Sequence, residues 1–579
     1  MYEGLLRNLH PHLDRELATQ VEKVIDGLPI TSPMTLSPSP VKDAQQATDN
    51  PVQPTDHTAE DHQRDRVTQA TGFVGRPSEV AWLHNLQMGT NLRNETACPL
   101  GQPGFLPPLS TNYFLDDFQF LAPNPTDNSN YPSKKAATQL VGCYFQNVHA
   151  SFPVISKLLF LEQFRRCYAN PDPQPGRKWI AILNMIFAIA SRHSSLVRKL
   201  PRSDLPYFTR AWELYTRDFA VLEHPSLQQV QIESLILLYL LSVGQINRAW
   251  RMCGIALRSA VAMDIHLRTE NRDLSSISKE TRYRLWWALY SLDVQLCLMI
   301  GRPHNIDLGN CTTPLPVPFP EEDFLDNRVA QVIADEDIRK ATVASFASCA
   351  SKSDSGGQHR LPCSHCSVAT EGHGNNSDDT FALGSIEPNT SLYFLCRVNL
   401  ACIGRNAMDE IHSPRAASLP WDEVETLIAR NNAYVDDWLA RLPSYYNFDK
   451  SLPSVPFVRQ RTSLAFRFYS IKLIILEPCL RRVIGILTEG PCSARCQTMA
   501  AICLQVARSV LNLLPDEPDI PWLYEYCPWW SIVHYIMQSS TILMVSLAGQ
   551  VELGFARLEE TSRSIKKACR WLQEMSRTD

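Results

Sequence analysis

Two strongly apolar helical segments, one at 250–267 and one at 280–300, constrain this chain more than any other feature. In the first segment Arg251 and Arg258 lie seven residues apart, so they share one narrow polar stripe on an otherwise apolar helix. The second segment has few polar breaks and is followed by Gly301, which is typical of a helix C-terminus. Because such helices must be covered on most sides, the segments predict a large helical core.

Asp293 is the one acid in the apolar run 285–300. A buried carboxylate needs a partner, because an unpaired charge in an apolar environment is very costly. Three nearby cations could supply that partner, namely Arg282, Arg284 and Arg302. We therefore expect a structural ion pair at Asp293, and a catalytic acid is the alternative interpretation.

The N-terminal residues 1–30 carry leucine and valine at three- and four-residue steps, which predicts a short amphipathic helix, although Pro11 interrupts it. A terminal apolar stripe needs a partner, which either a second copy of the chain or the body of the protein would provide. Residues 31–130 are rich in Pro, Ser, Thr, Asn, Asp and Gln and have no apolar period. This composition predicts a disordered linker.

The folded body begins near residue 131 and consists of helical patterns in two halves, 131–345 and 386–579. Between the halves lies a low-complexity insertion, 346–385, which is rich in Ser, Gly and Asn. Alternating strand patterns bounded by turn pairs do not occur, so we expect an all-α fold: a large multi-helix domain preceded by the linker.

Composition places the chain among ordinary globular proteins. Of its 579 residues, 44% are hydrophobic and 20% are charged, and the net charge is −5. A dedicated DNA-binding module is usually strongly basic, so the overall charge gives no indication of direct DNA contact. The first thirty residues do not have the pattern of a signal peptide, and the apolar runs are too short or too interrupted to predict a membrane span. We expect reduced cysteines in a cytosolic or nuclear protein.

Several motifs resemble one known family. The segments AWRMCGIALRSAVAMDIHLRTE and KETRYRLWWALYSLDVQLCLMIGRPHNI are similar to the middle homology region, or regulatory domain, of fungal zinc-cluster (Zn2Cys6) transcription factors. Weaker resemblance covers the rest of 131–579, in the aromatic-rich entry at Tyr144–Ile155, in FVRQRTSLAFRFYSIKLIILEPCL, and in the closing Trp571-Leu572 with Met575. The short N-terminal helix is also similar to the helix that follows the zinc cluster in that family.

The resemblance implies a nuclear regulator of RNA polymerase II promoters that forms a homodimer and contacts the transcription machinery. The family's zinc cluster needs a Cys-x2-Cys-x6-Cys half followed by a second, similar half. No cysteine precedes Cys98 in this sequence. We therefore expect that this chain lacks its own intact DNA-binding cluster and reaches promoter DNA indirectly, or through a missing N-terminal domain. Zinc is expected only in that missing cluster.

One further zinc site can be considered within the insertion. Cys363 and Cys366 form the only Cys-x2-Cys in the chain, with His359, His365 and His373 nearby. A single such pair is a weak signal without a second pair at suitable spacing. We expect two free thiols, and therefore no metal ligand and no cofactor within this chain.

Enzyme signatures are missing from the sequence. It has no Gly-x4-Gly-Lys-Ser/Thr, Gly-x-Gly-x-x-Gly, Gly-x-Ser-x-Gly or His-Glu-x-x-His motif. Asp116-Asp117 and Asp436-Asp437 lack the third acid of an isoprenoid synthase. We therefore expect no catalytic residues and no enzyme. The alternative is an all-α small-molecule-binding protein, or an enzyme of the isoprenoid-synthase type, in which the many tryptophans line a pocket rather than the core.

Overall fold

The computed structural model describes residues 132–169, 175–217, 224–269, 273–347, 386–449, 457–484, 492–548 and 558–577, together with 77, 78, 81 and 271. Sixteen α-helices and no strands occur in these ranges, which confirms the all-α prediction. In chain order they are α1 Lys134–Tyr144, α2 Lys157–Ala169, α3 Arg177–Arg198, α4 Leu205–Thr216, α5 Leu227–Ser242, α6 Ile246–Ala262, α7 Ser276–Ile300, α8 Asn327–Ala334, α9 Glu336–Ala347, α10 Thr390–Ile411, α11 Trp421–Arg441, α12 Val458–Val483, α13 Ala494–Asn512, α14 Ile520–Tyr526, α15 Ile532–Ala548 and α16 Leu558–Ser576.

Three predicted regions fall almost entirely outside the described residues. These are the amphipathic helix 1–30, the linker 31–130 and the insertion 346–385. The predictions made for them stay predictions. The division of the body into the halves 131–345 and 386–579 also stays a prediction.

Helix α7 is the most deeply buried long helix of the described region. Its first turn is capped by the Ser275 hydroxyl, which accepts a hydrogen bond from the Ser278 amide. It ends at Gly301, whose φ of 67° lies in the left-handed region that glycine adopts without strain. The Trp287 side chain is fully buried, and its indole N–H donates to the Pro314 carbonyl at 2.8 Å. The sequence-based prediction of a buried helix with a glycine C-cap is therefore confirmed.

Helix α6 is less buried than its composition predicts. Arg251 and Arg258 share an exposed stripe as expected, but Ile255 and Val261 are 38% and 44% exposed beside them. The opposite face of α6 packs against α5 and α7. Burial of one face is therefore sufficient for this apolar helix, and the prediction that α6 is buried on most of its sides was wrong.

Helix α3 is the one helix of the described ranges that is long and apolar enough to cross a membrane. Most of its surface is instead buried inside the protein, where it packs against α1, α4, α5 and α14. A largely buried core helix meets the same length and composition test, so α3 is weak evidence for a membrane span. Since α14 follows residue 386 in sequence, this packing also joins distant parts of the chain.

Helices α7, α10 and α12 meet at Gly404, which lies on α10. A Cβ atom at this position would lie 2.9 Å from Ile471 Cδ1 on α12 and 3.3 Å from Leu298 Cδ1 on α7. Distances this short leave no room for a methyl group unless the neighbours move. Glycine therefore permits a close approach of three helices at the centre of the body.

Candidate functional site

Three helices bring polar side chains together in the otherwise apolar centre of the body. Each helix contributes two residues spaced four apart, which places both on the same helical face. The pairs are Ser291 and Gln295 on α7, Tyr393 and Arg397 on α10, and Ser463 and Arg467 on α12.

The two arginines share one acceptor. Arg397 and Arg467 are 1% and 2% exposed. The side-chain oxygen of Gln295 accepts from Arg397 Nη2 at 3.0 Å and from Arg467 Nη1 at 3.2 Å. A second terminal nitrogen of Arg467 donates to the Ser291 carbonyl at 3.4 Å. We call Arg397, Arg467, Gln295 and Ser291 the arginine centre.

The arginine centre holds two positive charges close together in a dry environment. Burial, followed by the positive charge of Arg397, lowers the pKa of Arg467 to about 9. No carboxylate of the described residues forms an ion pair with either guanidinium, and their acceptors are an amide oxygen and a backbone carbonyl. Neutral acceptors compensate a buried charge only in part, so the centre keeps a strongly positive potential.

Aromatic rings cover the other side of Arg397. Its Cζ lies 4.6 Å from the ring centre of Phe152 and 5.9 Å from that of Trp530. These two rings contact each other edge to face at 5.2 Å. Cation–π contacts of this kind stabilise a guanidinium without neutralising it. The Phe-Pro turn that follows α1 thus serves as a wall of the centre.

A row of three hydroxyl groups lies next to the arginine centre. The Tyr393 hydroxyl is 2.9 Å from the Ser151 hydroxyl and donates to the Ser463 hydroxyl at 3.0 Å. The same three residues line a small surface pocket together with Trp530. We call Ser151, Tyr393 and Ser463 the hydroxyl row, and the space beside it the surface cavity.

Arg459 lies at the mouth of the surface cavity, one helical turn before Ser463 on α12. It donates to the Gln146 carbonyl at 2.8 Å and to both the carbonyl and the carboxylate of Glu525, at 2.6 and 2.7 Å. Arg459 therefore bridges two sides of the mouth and has its own counter-charge there.

Asp293 is buried as expected, but the prediction that an arginine is its partner was wrong. Its carboxylate accepts from the side chain and the backbone N–H of Asn305, at 2.7 and 3.2 Å, and His304 Nδ1 lies 3.7 Å away. The turn after Gly301 brings these residues back over the helix end. The three candidate arginines bond elsewhere: Arg282 to the Met263 carbonyl, Arg284 to Glu280 and Arg302 to Asn247.

The ligand atoms of Asp293, Cys297 and His304 lie within 4.8 Å of one another, so this group has the composition of a possible metal site. However, burial raises the pKa of the Cys297 thiol well above its ordinary value, which disfavours the thiolate that binds metal. Asn305 already engages both Asp293 oxygens. The cluster is therefore a hydrogen-bonded helix terminus. Cys363 and Cys366 lie outside the described residues.

The other motifs singled out from sequence have structural roles where they are described. Asp436 and Asp437 lie on α11 and pair with Lys472 and Arg441. On α16, Lys567 is buried and donates to the Leu514 carbonyl at 2.6 Å. Asp116 and Asp117 lie outside the described residues.

Sequence reasoning missed the arginine centre. A signal was present, because Arg397 stands in the apolar run LYFLCRVNL and Arg467 in SLAFRFYSI. Charged residues are almost never fully buried unless they are paired, so each of these arginines marks an unusual environment. What the sequence does not show is that the two residues face each other, because they lie 70 positions apart.

The comparisons with known proteins identify the family. Residues 141–353 match the fungal specific transcription factor domain. The transcription regulator galc of Aspergillus niger is 33% identical over 99% of this chain and 73% of its own length. This chain belongs to the family of fungal transcription regulators. The same matches show that the chain is a regulator of transcription and not an enzyme.

Other fungal transcription regulators match over smaller shares of this chain. The sorbicillinoid biosynthetic cluster transcription factor 2 of Penicillium rubens is 24% identical over 71% of this chain and 54% of its own length. The ABC-transporter-regulating transcription factor of Aspergillus oryzae is 26% identical over 33% of this chain and 22% of its own length. No solved structure matches this regulator.

Proposed function

We propose that this regulator acts in the nucleus on RNA polymerase II promoters, and that its helical body supplies regulation rather than recognition of bases. The match to a transcription regulator along 99% of the chain is the observation that carries the proposal. A nuclear location and contact with the transcription machinery are general features of proteins that regulate transcription, and they extend to this chain as part of the proposal.

The charge of the chain supports regulation over base recognition. The sequence has 55 Lys and Arg against 60 Asp and Glu. On α16, which carries the basic stretch 563–570, Arg570 pairs with Glu517 and Lys567 pairs with Asp516. A surface that binds DNA needs free cations for the phosphates, because phosphate contacts supply most of the affinity. Promoter DNA is therefore reached indirectly, or through a further domain.

A reporter experiment tests this proposal. The full chain is fused to an unrelated DNA-binding domain and expressed in a fungal host with the matching binding site upstream of a reporter gene. We expect the fusion to be nuclear and to change reporter output relative to the DNA-binding domain alone. A fusion carrying Trp287→Ala, which breaks the core, is the control and should lose the effect. Unchanged output from a nuclear, full-length fusion would refute the proposal.

A further inference from the structure

We propose that the arginine centre is a built-in opening point, at which α12 parts from α10 and admits water while the rest of the body stays folded. Two charges that repel each other are held there by neutral acceptors, and water would compensate them when the helices part. As a way to change the output of the regulator, this inference deepens the proposed function and rests on it. The opening itself is a property of the helical body and can be measured without transcription.

A second buried arginine of α12 shows how such a charge is compensated elsewhere. Arg481 contacts the Glu477 carboxylate at 2.6 Å, in keeping with the rule that a buried charge is accompanied by an opposite one. Arg397 and Arg467 are more deeply buried than Arg481. Their acceptors are nevertheless a neutral amide and a backbone carbonyl. The packed arrangement therefore leaves these two charges only partly compensated.

Polar atoms without partners surround the two charges. The Nε atoms of Arg397 and Arg467, the amide nitrogen of Gln295 and the hydroxyl of Ser291 are buried and form no hydrogen bond within the described part of the chain. A buried polar group without a partner costs free energy, because it has lost its hydrogen bonds to water. Opening would return water to all four atoms. The centre therefore favours a hydrated state more than an apolar core would.

A polar route leads from the surface to the centre. The surface cavity has room for about one water molecule and borders the hydroxyl row. Tyr393 and Arg397 are four residues apart on α10, and so are Ser463 and Arg467 on α12. The row thus lies about 6 Å along both helices from the guanidinium groups. Water that enters between Tyr393 and Ser463 reaches the charges along the seam between the two helices.

The packing of α12 indicates how the seam opens. This helix packs more extensively against α13 than against α10, so it can move together with α13. One helical turn beyond Arg467, Ile471 packs closely against Gly404 of α10 and holds the seam on that side. On the other side lie only the hydroxyl row and the surface cavity. Opening is therefore expected to begin at the row and to separate Arg467 from Arg397.

Two variants relieve the buried charges in different ways. Gln295→Glu keeps the size of the side chain and supplies a carboxylate where one oxygen already accepts from both arginines. Arg467→Met keeps an unbranched side chain and removes one of the two charges, a kind of change that often stabilises a core. Both variants should hold the seam closed more firmly. We expect each to raise the thermal unfolding midpoint of the full chain by about 2 °C or more.

Two control variants separate this effect from general ones. Gln505→Glu introduces the same negative charge at an exposed position of α13 and should behave like the parent chain. Arg481→Met removes a buried arginine of the same helix, but one that accompanies a carboxylate. It should lower the midpoint, because Glu477 would lose its counter-charge in the interior. The opposite signs for Arg467→Met and Arg481→Met are specific to the proposal.

Hydrogen exchange of backbone amides, followed by mass spectrometry, measures the opening directly. In the parent chain we expect the segments 393–400 and 463–471 to exchange faster than 181–190, a buried stretch of α3. In Gln295→Glu and in Arg467→Met, exchange of the first two segments should slow at least tenfold. Gln505→Glu should leave their exchange unchanged.

The proposal is overturned if the three segments are equally protected in the parent chain, or if the midpoint of either stabilising variant is unchanged or lower. In the reporter fusion, Gln295→Glu and Arg467→Met should reduce the effect on output although they are more stable than the parent. An undiminished effect would overturn the regulatory role of the opening. Failure of the proposed function would appear instead as unchanged output from the parent fusion, so the two failures are distinguishable.

Discussion

His193 is a buried histidine that the fold holds in its neutral form. Its Nε2 donates to the Tyr524 carbonyl at 3.0 Å, and its Nδ1 accepts from Asn147 Nδ2 at 3.4 Å. Burial is the main cause that lowers the pKa of His193 to about 4. The imidazole ties α3 to α14 through Nε2, and protonation would remove the Nδ1 acceptor that Asn147 uses.

This arrangement predicts a loss of stability in acid. The unfolded chain takes up a proton on His193 near pH 6.5, whereas the folded chain resists it until about pH 4. Stability therefore falls as the pH drops through this window, by up to about 3.5 kcal/mol for this side chain, at about 1.4 kcal/mol per pKa unit. His149 and His412 are lowered to about 3 and 4 and add to the effect.

The variant His193→Gln tests this prediction, because glutamine can keep both hydrogen bonds and does not titrate. Urea unfolding is measured from pH 8 to pH 4. We expect the free energy of unfolding to depend less on pH in the variant than in the parent chain between pH 6.5 and pH 4. Parallel curves for the two proteins would mean that His193 does not carry this dependence.

Single residues also show what the sequence could and could not predict. The burial of Asp293 follows from its apolar neighbours, and it is confirmed. The partner of Asp293 could not be predicted from the sequence, because the turn at Gly301 brings Asn305 back toward the helix, and that geometry is tertiary. Arg397 and Arg467 were each recognisable as unusual, but only the packing of α10 and α12 against α7 brings them to one glutamine.

At the scale of elements, α7 is the helix whose burial matters most for the fold. Trp287 is fully buried near its middle and is anchored by the hydrogen bond to Pro314. Removing so large a side chain leaves a cavity that neighbouring helices cannot fill. The helix also contributes Gln295 to the arginine centre. Damage to α7 therefore affects both stability and the candidate site.

Trp287→Ala is expected to cost about 3–5 kcal/mol of unfolding free energy, the usual range for a buried aromatic residue. The matched control is Trp212→Ala on α4, where the side chain is 40% exposed. It should cost much less, because little contact is lost. Chemical denaturation followed by circular dichroism measures both variants. Similar losses in the two proteins would contradict the burial assigned to α7.

Helix existence was easier to predict than helix ends and irregularities. Gly301 marked the end of α7, as the sequence predicted. Local propensity does not predict that α12 continues through Pro478 as far as Val483. The π-helical turn Phe145–His149 after α1 was equally hidden. Tertiary packing supports both features, so local propensity alone could not reveal them.

At the scale of the whole molecule, self-association is the main prediction from the N-terminal residues. The apolar stripe of 1–30 needs a partner, and a second chain is the expected one. Light scattering of the full chain and of a version that begins at Pro132 compares their molar masses. We expect a dimer for the full chain and a monomer for the shorter one. The same number of chains in both would exclude this helix as the dimer element.

The all-α class and the transcription-regulator function were both predictable from sequence. Helical periodicity gave the class, and the motifs of 249–306 resembled the family that the comparisons then established. The candidate site was not predictable, since its members come from three helices distributed over residues 291–467. Sequence patterns report the face of one helix at a time, and the site depends on how three faces meet.

The close contact at Gly404 helps to set the distance between the two buried guanidinium groups. Gly404 lies two helical turns after Arg397, while its neighbours Ile471 and Leu298 lie about one turn from Arg467 and Gln295. The separation of the two guanidinium groups is therefore set partly by a single hydrogen atom on a backbone carbon. One added methyl group there would push the helices apart and dilute the positive field, although it carries no charge itself.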